Sequence, residues 1–232
     1  MEIVLGIDNI IFISITVNRL APGEQARGRT IGLLLALLFR IGLLTSISWL
    51  VSLRNPLFTI NLAGVIQDFG VSGRDLILLA GGLFLIYKSC AEILSKLQGD
   101  EEEAHAEKGH ASLPAIIAQI IVIDIVFSFD SILTAVGLVD NVLVMIAAVI
   151  CAMIIMIAFS GAVADFVNRN PTIKVLALAF LVMIGFMLVA EAAHQEVEKG
   201  YLYFAMAFAL LVEMLNMRMR KKSKPAPVAS GK

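Results

Sequence analysis

The sequence predicts an all-α polytopic membrane protein, with about seven transmembrane helices arranged as a 3+3 inverted repeat plus one. Three observations carry this reading. The chain is 59% hydrophobic, has a mean hydropathy of +0.90 and is only 16% charged, whereas ordinary globular domains carry about 25% charged residues. Apolar runs long enough to cross a bilayer recur along the whole length, since about 20 residues rising 1.5 Å each span a hydrocarbon core of ~30 Å. Finally, one nine-residue pattern with two acids occurs twice, on segments expected to run in opposite directions.

In chain order the predicted spans are 1–17, 30–53, 75–96, 113–137, 141–164, 172–193 and 200–217. The first rises only about 24 Å from Glu2 to Val17, short of a full crossing, which implies a locally thin bilayer or further residues upstream. A signal peptide fits poorly: there is no basic n-region and no small-x-small cleavage site, and Asp8 and Asn9 interrupt the apolar core. Between the second and third spans, residues 55–73 (NPLFTINLAGVIQDFGVSG) are too short and too glycine-interrupted for a crossing and are expected as a loop, at most re-entrant. The C-terminal RMRKKSKPAPVASGK is expected to be disordered.

Orientation follows from the basic residues in alternating loops. One side collects thirteen: Arg19, Arg27, Arg29, Lys96, Lys108, Arg169, Lys174, Arg218, Arg220, Lys221, Lys222, Lys224 and Lys232. The other has three, Arg54, Arg74 and Lys199. The basic side is therefore expected to be cytoplasmic, with the C-terminus inside a bacterial-type inner (plasma) membrane. A net charge of -1 and the lack of any nucleic-acid-binding pattern exclude a nucleic-acid partner. Cys90 and Cys151 lie far apart in apolar runs without a CxxC spacing, and are expected as buried free thiols.

The chemistry is concentrated in the repeated pattern, Glu2 to Ile10 (EIVLGIDNI) and Asp124 to Ile132 (DIVFSFDSI). Position by position it reads acid, Ile, Val, large apolar, small, apolar, Asp, small amide or hydroxyl, Ile. Such agreement between the first and fourth of seven helices is the signature of an inverted repeat of three helices each. Gly82 to Lys88 and Gly185 to Glu191 add a weaker echo, a glycine followed six residues later by a charge. Helix rise puts Asp8 about 14 Å and Asp124 about 16 Å from the inner ends of their helices, near the midplane. Glu2 and Asp130 then lie nearer the outer face. Spacing of six sets the two acids of one motif about 120° apart, so both face one site only if the helix opens, with Gly6 and Ser128 the places for it.

An ionisable group at the bilayer centre costs at least ~2.5 kcal/mol on insertion scales. Within the spans, Glu2, Asp8, Asp124, Asp130 and Glu191 face Arg40 and Lys88, a surplus of three formal negative charges. A bound divalent cation, protons or both would neutralise it. The donors are oxygens only, from the carboxylates, Asn9, Ser128 and Ser131, which suits Mg, Ca or Mn and disfavours Zn or Cu. The candidate metal ligands are thus Glu2, Asp8, Asn9, Asp124, Ser128, Asp130 and Ser131, with Arg40, Lys88 and Glu191 as charge-balancing or coupling residues.

EIVLGIDNI and DIVFSFDSI, with NPLF, LLAGGLFLIYK and KVLALAFLVMIGF around them, resemble the TerC family of integral membrane proteins over residues 2 to about 217. The likeness is to its short members, made of the membrane domain alone. The resemblance implies a transmembrane domain over 1–217, a tail over 218–232, and a seven-helix fold related to the LysE superfamily of exporters. It also implies export of a metal ion, chiefly manganese, and the family name comes from tellurite resistance. Carried over by motif, the family's acids fall on Glu2, Asp8, Asp124 and Asp130, with Asn9 and Ser131 as polar companions. Family members carry residues before the first motif that complete helix one, whereas here Met1 directly precedes Glu2.

The expected function is therefore export of a divalent cation, with the ion as substrate, no permanently bound cofactor and the lipid bilayer as surroundings. A non-transporting scaffold or assembly factor with structural acids is the alternative. No nucleophile–base pair, HExxH or phosphate loop points to an enzyme. The bland readings are that Arg40 and Lys88 only balance charge, that Glu191 partners one of them, and that Glu92 faces headgroups. GDEEEAHAEKGH, with His105 and His110, reads as a solvated acidic linker.

Overall fold

The computed structural model describes residues 2–62, 66–98, 111–137, 141–195 and 197–222. Among them the chain forms α1 (Glu2–Val17), α2 (Gln25–Thr45), α3 (Ile47–Ser52), β1 (Pro56–Leu62), β2 (Ile66–Ser72), α4 (Gly73–Gln98), α5 (Leu113–Val136), α6 (Val142–Arg169), α7 (Pro171–Ala192) and α8 (Lys199–Lys222). Six helices, α2, α4, α5, α6, α7 and α8, are long and apolar enough to cross a membrane. With the 16-residue α1, each of the seven expected segments is helical. The acidic linker with His105 and His110 lies outside the described residues.

Several boundaries differ from the sequence expectation, among them the end of α6 at Arg169 rather than 164. The second span begins at Gln25 and breaks at Ser46, whose amide still bonds the carbonyls of Gly42 and Leu43 while α3 starts a new turn. Residues expected as a loop form an antiparallel hairpin, with Thr59 opposite Gly70 and Ile60 opposite Phe69. The strands carry β-branched and aromatic residues such as Phe58, Thr59, Ile60 and Val71, their pairing satisfies the backbone, and the amide of Arg74 ties the hairpin's base to the carbonyl of Leu53 at 3.0 Å. Helix α8 continues to Lys222, past the expected boundary at 217, because its basic last turns retain helix-forming residues.

Helix α1 lies at the centre of the bundle. Every residue from Phe12 to Val17 is buried, including Ser14 and Thr16, as expected of a helix apolar all round. Of the six spans, α5 has the largest buried share. The two helices that carry the repeated motif are thus the ones most shielded by protein. Around them α1 packs on α6, α2 on α5 and on α6, and α4 on α7. Exchanging the triplet α1, α2, α4 with α5, α6, α7 carries the first of these pairings onto the second and the last onto itself.

The α4–α7 contact brings backbone against backbone. A Cβ added to Gly82 would stand 2.7 Å from the carbonyl oxygen of Gly185, and one added to Gly185 would stand 2.8 Å from that of Gly82. Such close approach needs small residues and is how helices associate in lipid. Large apolar side chains such as Leu38, Leu83, Ile154, Phe159, Phe186 and Phe204 point outward and are more than half exposed, a lateral surface suited to lipid rather than water. Cys90 and Cys151 are free but lie on this outer surface, not in the interior as expected. Helix α8 is peripheral, packing on α7.

Candidate functional site

Asp124 is the hub of a buried polar cluster built from three helices. On α5 it stands one turn before Ser128, so both project from the same face, and the Ser128 hydroxyl donates to Asp124 Oδ2 at 3.2 Å. From α1, Asn9 Nδ2 donates to Oδ1 at 3.3 Å. From α2, Arg40 presents its guanidinium edge-on: Nε lies 3.1 Å from Oδ1 and 3.0 Å from Oδ2, and Nη2 lies 2.5 Å from Oδ1. Asp124 and Arg40 are each 4% exposed.

A lone carboxylate would be strongly disfavoured at such depth. The planar fork of arginine supplies opposite charge and two near-parallel donors at once. Asn9 and Ser128 occupy remaining acceptor positions, so the ion pair is hydrogen-bonded on both oxygens, the condition under which burial of a pair is tolerated. The motif's spacing explains the convergence. Asn9 follows the second acid of the first copy, whereas Asp124 is the first acid of the second copy; on antiparallel helices these positions meet at one level.

The other expected ligands divide in two groups. The side chains of Glu2, Asp8 and Asp130 lie outside the described residues, although the backbone at all three is helical. Ser131 is half-buried, and its hydroxyl donates to the Ser128 carbonyl at 3.2 Å, a local bond of the kind serine makes within helices. Among the described residues no three His, Cys, Asp or Glu side chains gather in metal-binding geometry.

Lys88 and Glu191 sit elsewhere. Lys88 interacts electrostatically with Glu92 and Arg19, and Glu92, expected among headgroups, is instead 7% exposed and ion-paired with Arg19. This pair joins α4 to the end of α1 on the side rich in basic residues, where Asn18 and Asn168 also bond each other. Glu191 meets Arg74 at 3.2 Å and Lys199 at 3.6 Å, at the opposite end of the bundle.

That opposite end holds a second polar cluster, absent from the sequence reading. A cavity of about 450 Å³ is lined by Arg54, Pro56, Gly70, Ser72, Arg74, Asp75 and His194. Asp75 accepts from the Ser72 amide at 2.9 Å and its hydroxyl at 2.7 Å, and the Ser72 hydroxyl also pairs with the Asp75 amide. This reciprocal N-terminal cap of α4 was legible as Ser-x-x-Asp before an apolar run. His194, with φ 57° just beyond α7, brings Nε2 to 3.1 Å from Asp75; no spacing in the sequence connects two residues so far apart. Arg54 Nη2 donates to the Leu133 carbonyl at 2.7 Å, holding the end of α5 against α3 and the hairpin.

Comparison with known proteins agrees with this architecture. The sequence model described as "Integral membrane protein TerC family" matches residues 1–226. The chain is 48% identical over 224 residues to a UPF0053 protein of Haemophilus influenzae, covering 97% of this chain and 92% of that one. It is 47% identical over 223 residues to the UPF0053 inner membrane protein YgdQ of Escherichia coli K12, covering 96% and 91%. It is also 45% identical over 221 residues to the UPF0053 inner membrane protein YoaE of Escherichia coli K12; that match covers 95% of this chain but only 42% of the longer relative. No solved structure matches the chain. A membrane bundle with its motif helices at the centre, matched almost end to end by the family, belongs to the TerC family of integral membrane proteins.

Proposed function

We propose that this chain is a secondary transporter that exports a divalent cation from the cytoplasm, with manganese as the first candidate. The observation that carries the reading is Asp124, a carboxylate held deep within a membrane bundle by polar groups from three helices. Ionisable groups at such depth mark substrate or ion paths by default. The oxygen donors of the motif suit a hard cation, and Glu2, Asp8 and Asp130 are the residues proposed to complete its shell. Rocking of one helix triplet against the other would expose the site alternately, with protons returning on the same carboxylates. The relatives' names support placement in the inner membrane, and the charge bias is the ground for proposing a cytoplasmic basic face and C-terminus. On this reading, the cavity by the hairpin opens outward.

The saturation of Asp124 by hydrogen bonds favours one second reading, a membrane scaffold whose acids are structural. Export assays separate them. In proteoliposomes loaded with manganese, the transporter reading expects efflux from wild type and none from Asp124→Asn at equal insertion; the scaffold reading expects no flux from either. A link to tellurium compounds is tested by growth on tellurite with and without the chain.

A further inference from the structure

The partners of Asp124 leave a cation no place beside them. A carboxylate offers roughly four acceptor directions, and here Oδ1 receives Asn9 and two Arg40 nitrogens while Oδ2 receives Ser128 and Arg40 Nε. A hard divalent ion would need to stand about 2.0–2.6 Å from these oxygens, in the space the guanidinium fills, and would be repelled by it at that range. We propose that Arg40 is a tethered counter-cation that competes with the transported ion for Asp124, so that ion binding and the Arg40–Asp124 pair exclude one another. The inference rests on the transporter reading and adds its release step. As the guanidinium returns to Asp124 it displaces the ion without leaving a buried carboxylate unpaired.

The test is isothermal titration of manganese ions into the full chain in nanodiscs, for wild type, Arg40→Met, Arg40→Lys and Asp124→Asn, with efflux from proteoliposomes beside it. Arg40→Met is expected to bind manganese about tenfold tighter or more, each tenfold being ~1.4 kcal/mol of pairing no longer displaced, while efflux slows because nothing expels the ion. Arg40→Lys keeps the charge but not the fork, and is expected to fall between wild type and Arg40→Met. An affinity in Arg40→Met equal to or weaker than wild type overturns the proposal. Should Arg40→Met fail to insert, an unchanged affinity in Arg40→Lys overturns it equally. Wild type that binds no manganese, with Asp124→Asn indistinguishable from it, removes the transporter reading and this inference together. Binding that depends on Asp124 but is indifferent to Arg40 removes only the inference.

Discussion

Asp124 and Glu191 are both acids bonded to an arginine of a neighbouring helix, yet they occupy different surroundings. The Asp124 and Arg40 side chains are 6% and 4% exposed, in the interior between α1, α2 and α5. Glu191 is 11% exposed, but its partners Arg74 and Lys199 are 25% and 23% exposed, at the end of the bundle beside the hairpin. Near water, either member of a pair can be resolvated when the other leaves, so the pair contributes little net stability. In the interior water does not take the place of a lost partner, so removing one member of the pair is costly. A carboxylate and an arginine therefore serve as a tie between helix ends in one place and as a commitment of the whole bundle in the other.

Stability measurements in detergent would sharpen or break this comparison. The largest effect is expected from Asp124→Leu, which takes the fork partner from Arg40 and should cost about 3–5 kcal/mol, read as a large drop in thermal midpoint. Adding Arg40→Met should recover much of it. A drop no greater than that of Glu191→Gln would end the distinction between the two regions. Next comes Gly82→Val, whose branched side chain must force α4 from the Gly185 carbonyl, at about 1–3 kcal/mol or more; an unchanged midpoint would mean that the two helices do not meet there. Ser72→Ala removes the cap of α4 and should cost about 1 kcal/mol. Glu191→Gln is the smallest, under about 1 kcal/mol once solvent screening of Arg74 and Lys199 is counted.

The helical spans were legible because lipid demands long apolar runs whatever their tertiary partners, and seven segments read from 1–17 to 200–217 are helical in the structure. The hairpin was not. Its glycines and short length argued for a loop, and no spacing in the sequence announces the pairing of Thr59 with Gly70. At the site, the motif identified Asn9, Asp124 and Ser128 by type and spacing, and they converge. Arg40 was legible only as a buried charge in need of a partner. Which acid it would choose depends on how α2 rotates against α5, where Gly32 faces Ile120 and admits the close approach. His194 carried no signal and Glu92 read as facing headgroups because a residue near a helix end reads as solvated until the fold brings a partner over it, as it does with Asp75 and Arg19.

Cellular manganese is the most direct measure of whether the carboxylate at the centre of the bundle handles a cation, as proposed. In a strain lacking its own exporters and grown in excess manganese, wild type should lower cell manganese and restore growth. Asp124→Asn, expressed in the membrane at the same level, should do neither. Wild-type and Asn forms that are equally inserted and equally without effect on manganese would contradict the transporter reading and leave the buried acid a structural group.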